Sequence, residues 1–370
     1  MHPTDERKYQ PMPKIVLFGA TGYTGRLIAE ALIGHGAAPV LAARNAGSLE
    51  KLAAGLGGAE TAVADIADPG SIRALLGRGD VLVTTVGPFL RYGNPALAAA
   101  LAAGAHYFDS TGEGPFIRTV FDHDAAARGA GSALLTAFGF DYVPGNLAAG
   151  LALADAPGAV RAEIGYFVDG PGTSGGTRAS MAGMVFEEGF ALRGGRIAGE
   201  RTAARIRTFE VAGRALTGAS VPGSEHLALA RSYPGLRDAN VYLGLPGPAA
   251  RGLQATSLAA GLAGRIRPVR QLAESALSRL VKGSTGGPSP ESRARTKSWA
   301  VAEVSDTTGR VLESVTLSLG DPYDFTAAIL AWGARTALDG GLRATGALGP
   351  VEAFGLDALT AGAAEAGLSR

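Results

Sequence analysis

Lys14–Leu32 reads KIVLFGATGYTGRLIAEAL. The apolar run Ile15–Phe18 meets glycines at Gly19, Gly22 and Gly25, and Leu27, Ile28, Ala31 and Leu32 then recur at helical spacing. The order is a buried strand, a tight glycine turn and a helix start, which is what a dinucleotide site requires. Gly19 permits the turn, Gly22 lets backbone amides approach a pyrophosphate, and Gly25 lets the helix lie close to its strand. Thr21, Tyr23 and Thr24 fill the turn between them. The first helical turn would offer free N–H groups and the positive end of its dipole to the phosphates. The spacing is GxxGxxG rather than GxGxxG, and the chain holds 55 glycines, so the flanking strand and helix carry the reading.

Outward from this unit, apolar strands and helical patterns alternate as far as Asn146. The expected strands are Ile15–Phe18, Pro39–Ala43, Thr61–Ala64, Val81–Val86, His106–Asp109 and Ser132–Ala137. The expected helices between the later ones are Ser48–Ala54, Ser71–Leu76, Pro95–Ala103 and Phe116–Arg128. Such alternation predicts an α/β fold, a doubly wound parallel sheet of Rossmann type with helices on both faces. Beyond residue 146 the texture changes. Val160–Val168 alternates like a half-exposed strand, Ser180–Leu192 reads as a helix, and Trp299–Val304 and Val311–Leu319 flank the hairpin turn Asp306–Gly309. Residues 283–296 read as a loop that starts a short helix, and Asp324–Leu338 reads as an amphipathic helix. The expected organisation is a loose arm (1–13), a nucleotide-binding domain (14–146), a second mixed α+β domain for substrate and dimerisation (147–320), and a C-terminal segment (321–370) that packs on the first domain.

At 370 residues with 46% hydrophobic content, the chain has ample material for this core. A net charge of +1 gives no electrostatic reason for a nucleic-acid partner. Cysteine is absent, which removes disulfides, thiol nucleophiles and cysteine-ligated metals. The five histidines show no zinc-ligand spacing, so no metal is expected. The polar start lacks the apolar core of a signal peptide, and no apolar run reaches the ~20 residues of a membrane span. The chain therefore reads as soluble and cytoplasmic. An exposed antiparallel sheet in the second half would suit a homodimer.

The end of the second strand selects the cofactor. An acidic residue there favours NAD by binding the ribose hydroxyls. This chain has Arg44-Asn45, with Arg44 nineteen residues past Gly25. A guanidinium grips a 2′-phosphate, which points to NADP(H) over NAD. Asp65 and Ile66, after the third strand, would flank the adenine. Val86, Gly87, Pro88 and Phe89 end the fourth strand on the side of the pyrophosphate and nicotinamide. Proton donors are expected at the ends of strands five and six, where Tyr107, Asp109, Thr111, Glu113, Asp141 and Tyr142 collect. Asp109, Asp141 and Tyr142 are the catalytic candidates. The two aspartates fit equally well as caps of the elements that follow. Ser174, Gly175, Gly176 and Thr177 would bind a carboxylate of the substrate or merely cap a helix. There is no Tyr-x-x-x-Lys pair and no G-x-S-x-G elbow.

These residues resemble the saccharopine dehydrogenase-like oxidoreductases, and among them the trans-acting enoyl reductases of actinobacteria. The matching segments are GATGYTGRL (Gly19–Leu27), VTTVGPFLRYGNPALAAALAAGAHYFDSTGE (Val83–Glu113), GFDYVPGN (Gly139–Asn146), SGGT (Ser174–Thr177) and GPSPESRART (Gly287–Thr296). Asp321–Leu338 resembles the family's last helix. The resemblance implies an NADP-binding domain, a mixed substrate domain and a small-molecule or acyl-type substrate. Family members act on C=C bonds of polyketide, lipid or secondary-metabolite intermediates, or on C–N bonds of amino-acid adducts. C=C reduction is the first expectation, C=N reduction the second, and a non-catalytic NADP sensor the third. Two positions depart from the pattern. Phe138 stands where the family often has Cys, and Asn146 stands where it often has Asp.

Overall fold

The computed structural model describes residues 12–170, 174, 188–263 and 286–370. The first sheet holds β1 (Ile15–Phe18), β2 (Val40–Ala43), β3 (Thr61–Val63), β4 (Val81–Thr84), β5 (His106–Asp109), β6 (Ala133–Leu135) and β15 (Gly346–Ala347). All pairs are parallel and the order is β15-β6-β5-β4-β1-β2-β3. Every residue of β1, β2 and β4 is buried, as a sheet covered on both faces demands. From β1 the chain runs one way to β2 and β3 and then returns past β1 to β4. The crevice at the carboxyl ends of β1 and β4 is therefore the topological switch point where such sheets take ligands.

The helices largely follow the expected pattern, with two differences. The single helix expected over Phe116–Arg128 is two, Gly114–Asp122 and Asp124–Ala130, broken at His123. A helix at Val143–Asp155 was not expected; its Pro144 and Gly145 lie in the first turn, where proline costs no hydrogen bond.

The second sheet holds β7 (Arg161–Asp169), β8 (Phe190–Arg193), β9 (Arg196–Gly199), β10 (Ile206–Val211), β11 (Arg214–Val221), β12 (Asp238–Gly244), β13 (Lys297–Ser305) and β14 (Val311–Leu319). Its path is β10-β11-β12-β7-β13-β14, with β8 and β9 attached to β12. β12 and β7 run parallel; the other pairs are antiparallel. Residues 190–192 had been expected in a helix and are strand. The glycine pair Gly194–Gly195, both at positive φ, folds Phe190–Arg193 back onto Arg196–Gly199. The remainder of that expected helix, 180–187, lies outside the described residues.

Helix Val143–Asp155 packs on β13 and β14. The chain then returns to the first sheet. Helix Pro322–Leu338, capped by Asp321 Oδ1, packs along helix Tyr23–Gly34. Gly346 N and Leu348 N bond to Ser132 O (2.8 Å) and Leu134 O (2.9 Å), which adds β15 beside β6. One continuous apolar core joins both sheets. Among the described residues no helix is long and apolar enough to cross a membrane.

Candidate functional site

The glycine turn is built by close approach. Gly19 has φ +94°, and a Cβ there would stand 2.6 Å from Thr85 Oγ1. A Cβ on Gly25 would run into Gly19 O and lie 2.9 Å from Ala20 Cα. Gly22 is the N-cap of helix Tyr23–Gly34 and no side chain caps that end. The amides of the first turn therefore keep the free donors that an anion takes. Thr21 and Thr24 are half-buried in the turn, and Thr24 lines the cleft described below. Tyr23 faces elsewhere. Its hydroxyl donates to Pro288 O (2.6 Å) and accepts from Arg293 Nη1 (3.1 Å), and its ring meets Tyr323 edge-on at 5.2 Å. Arg293 in turn pairs with Asp324 (2.7 Å). Tyr23 is the post on which the 286–293 segment is fastened.

The second and third strands end on the same edge. Arg44 is exposed just past β2 and makes no hydrogen bond or ion pair among the described residues, so its guanidinium is available. Asn45 is already engaged: Oδ1 accepts from Ser48 N (2.8 Å) and caps helix Ala46–Gly55. Asp65 closes a turn through Ala67 N (2.9 Å), and Ile66 packs against the core. After β4, Val86 is half-buried and Gly87 N bonds to Thr85 O (3.1 Å). Past Pro88, Phe89 N and Leu90 N donate to Glu113 Oε1 (2.8 Å) and Oε2 (3.0 Å). Glu113, buried after β5, thus sets the start of the short helix Phe89–Tyr92, while the Phe89 ring packs on Phe116.

Of the three catalytic candidates, one reaches open space. A cleft of about 650 Å³ runs from Thr24, Ser110 and Asp141 on the first sheet's carboxyl edge to Val168, Leu245 and Leu253 on the second sheet and the helix that follows β12. Asp141 is half-buried on its wall, and burial pushes its carboxyl up to about 6. Asp109 is fully buried. Its Oδ1 accepts from Thr111 N (2.9 Å) and Ala137 N (2.8 Å), which ties the end of β5 to the end of β6. Burial raises Asp109 to about 6 against the pull of those amides. Tyr142 is also buried, with its hydroxyl 3.4 Å from Gly112 O and from Pro222 O, and burial raises it well above 10. Ser174 is buried near the cleft, where its N–H donates to Tyr323 Oη (2.7 Å). Gly175, Gly176 and Thr177 lie outside the described residues. Among the described residues no group of His, Asp or Glu could hold a metal.

Residues 15–133 match the model of the saccharopine dehydrogenase NADP binding domain family. That matched stretch is an NADP-binding domain. Its cofactor is NADP(H). The chain is 41% identical over 150 residues to a trans-acting enoyl reductase of Mycobacterium leprae, covering 39% of this chain and 35% of that protein. It is 42% identical over 140 residues to a putative trans-acting enoyl reductase of Mycobacterium tuberculosis, covering 36% and 33%. The chain thus spans about a third of the length of these curated relatives. In overall fold it is similar to the apo form of saccharopine dehydrogenase (L-Glu forming) from Saccharomyces cerevisiae. That match has a TM-score of 0.59 at 12% identity and covers 94% of this chain and 96% of that one.

The NADP-binding domain fits its cofactor by construction. The uncapped helix end and the Cβ-free cradle suit a pyrophosphate, and the exposed guanidinium just past β2, unpaired among the described residues, suits a further phosphate. Two residues beside the cleft escaped the sequence reading. Tyr166 of β7 forms part of its wall, and Glu225 lies fully buried, 2.6 Å from the Tyr166 hydroxyl. Tyr166 carried only the signal of an inward position on an alternating strand, and Glu225 carried none.

Proposed function

We propose that this protein is an NADPH-dependent reductase of the C=C bond of an uncharged, apolar acyl acceptor, such as a polyketide or lipid intermediate. The observation that carries the reading is the lining of the cleft. Phe140, Val168, Val221, Leu243, Leu245 and Leu253 supply apolar wall. The charged side chains among the described lining are Asp141 and Asp321, both acidic. An amino-acid adduct with several carboxylates would meet these acids with no counterion among the described lining, at a cost of several kcal/mol on the order of an unpaired buried charge. An acyl chain meets no such penalty, and each methylene buried contributes about 0.8 kcal/mol. The names of the mycobacterial relatives point the same way.

NADPH, when bound, supplies the hydride. The amides of the Gly22–Gly25 turn would hold its pyrophosphate, and Arg44 its 2′-phosphate. Val86 and Gly87 would border it at the switch point, where Glu113 holds the following turn in place. The acceptor would lie in the cleft with its reacting end toward Asp141 and its tail toward Leu253.

The test is NADPH oxidation with two acceptor sets. One is a series of trans-2-enoyl N-acetylcysteamine thioesters from four to twelve carbons; the other is a 2-oxoglutarate and lysine mixture, which presents the C=N acceptor. The expected outcome is oxidation with the thioesters, rising with chain length, and none with the imine. Oxidation by the imine alone would assign the C=N reaction instead, and tight NADPH binding with neither acceptor consumed would favour the sensor.

A further inference from the structure

Tyr166 and Glu225 take no part in holding cofactor or acyl chain, yet their arrangement is specific. Tyr166 contributes to the cleft wall, and its hydroxyl accepts from Gly145 N (2.8 Å) and donates to Glu225 Oε1 (2.6 Å). Glu225 opens helix Glu225–Ser232 and has no solvent exposure. Its second oxygen, Oε2, is buried without a hydrogen-bond partner. An ionised carboxylate in that position would leave a charge unsolvated, so the acid form is favoured.

The groups around Glu225 agree. Tyr166 faces it from β7, and Asp141 and Tyr142 face it from the turn before helix Val143–Asp155; all are acids. His226, the next residue, points its Nε2 to Val221 O (3.3 Å), and burial lowers it to about 4, so it is uncharged. Ser224, on the other side, accepts from Asn146 Nδ2 (3.0 Å). Burial, with Asp141 adding to it, pushes Glu225 up to about 8. Burial raises Asp141 as well, to about 6, which is less than it raises Glu225. The couple behind it holds its proton to the higher pH.

We propose that Tyr166 is the proton donor of the cleft and that Glu225 is its positioning residue, holding the proton that restores Tyr166. This rests on the reductase reading. Once the acceptor has gained a hydride at its β-carbon, forming one C–H bond and leaving an α-carbanion, the O–H bond of Tyr166 breaks and its proton forms the second C–H bond. The O–H bond of Glu225 breaks as its proton passes to Tyr166 Oη. Glu225 is left as carboxylate and takes one proton from solvent before the next turnover. NADPH is the reductant, and no other co-reactant is needed.

The test uses the full chain and two variants, Tyr166→Phe and Glu225→Gln, with a trans-2-octenoyl N-acetylcysteamine thioester as probe. Tyr166→Phe is expected to lower kcat roughly 100- to 1000-fold, in the range of lost acid–base catalysis, with NADPH affinity unchanged. Glu225→Gln is expected to lower kcat and erase the wild-type decline in rate above about pH 8. A second readout needs no turnover. Infrared difference spectra of the ligand-free wild type between pH 6 and pH 10 should show a protonated-carboxyl band that bleaches near pH 8, is missing in Glu225→Gln and shifts in Tyr166→Phe. Absence of that band in wild type, or wild-type turnover by Tyr166→Phe, overturns the proposal. Should wild type leave NADPH unoxidised, the reductase reading fails, and the band alone decides the couple: its shift in Tyr166→Phe supports it and its indifference overturns it.

Discussion

The carboxyl edge of the first sheet and the wall that the second domain adds opposite it are made by different means. At the edge, backbone makes the surface: glycines at 19, 22 and 25, an uncapped helix end and amides pinned by Glu113. These features follow from neighbours in sequence. The opposite wall is a collection of side chains from β7, β11, β12 and helix Gly247–Ala263, brought together only by folding. The first arrangement fixes one ligand and tolerates little change. The second offers volume and apolar surface, so it sets which acceptor fits and tolerates substitution. Cofactor identity is therefore a local property of this chain, and acceptor identity a global one.

The sharpest way to break that contrast is at Gly25. In Gly25→Val the new side chain meets Gly19 O and Ala20 Cα, both backbone, so nothing can move aside cheaply. Overpacking of this kind costs about 1–3 kcal/mol, and with the helix displaced from its strand the upper end is expected. The amides would leave the pyrophosphate position as well. Urea denaturation should show a lowered midpoint, and calorimetry should show no heat with NADPH. Binding at wild-type affinity would mean that the pyrophosphate sits elsewhere.

The same contrast explains what could be read from the sequence. The strand–glycine–helix unit, the parallel sheet and the Asp306–Gly309 hairpin were legible because each is a short-range pattern. Asn45 was placed correctly at the end of β2, but its cap to Ser48 N shows that position alone does not free a side chain. Asp109 and Tyr142 have suitable chemistry and stand at strand ends, yet both turn inward; the direction a residue faces after a strand depends on packing. The Tyr166–Glu225 contact joins residues 59 apart, and neither has a local signature. The helix at Val143–Asp155 was illegible for a different reason, since its proline and glycine lie in a first turn where they are harmless.

Asp109 sharpens the comparison because it is a backbone-organising group that titrates. Its carboxyl is held at about 6 in the fold against 3.8 in the free residue. Between these values the unfolded chain has released the proton and the folded chain has kept it, so raising the pH favours unfolding. Below the window both forms are protonated, and above it both are ionised. Relative to Asp109→Asn, which does not titrate, wild type should lose on the order of 2–3 kcal/mol as pH rises from about 4 to above 6. Guanidinium denaturation of both proteins at pH 4 and pH 7.5 measures this. An unchanged difference would show that Asp109 ionises in the fold as freely as in the open chain.

Arg44 tests the cofactor edge without disturbing its backbone. It is exposed and unpaired among the described residues, so Arg44→Asp should leave stability within about 0.5 kcal/mol. NADPH affinity should fall roughly 10- to 100-fold, as expected for a charge-assisted contact worth about 1.5–3 kcal/mol, while NADH affinity stays level. Equal losses for both nucleotides would remove Arg44 from the 2′-phosphate.

The smallest effect is expected on the opposite wall, at Leu253. This side chain is half-buried and lines the far end of the cleft, against Ala203, Ala219 and Ala250. Leu253→Ala removes apolar contact from a wall already open to the cleft, so the neighbours lose little and the stability cost should be about 1 kcal/mol or less. For the acceptor the same change widens the end where its tail would lie. KM for a twelve-carbon enoyl thioester should change several-fold while KM for the four-carbon one and the affinity for NADPH hold steady, because only the longer chain reaches that end. If short and long acceptors respond alike, Leu253 is acting on the fold of the cleft and not on the tail. The second wall would then be as intolerant as the glycine edge, and the division between a backbone-made cofactor site and a side-chain-made acceptor site would fail at the position where it should be easiest to see.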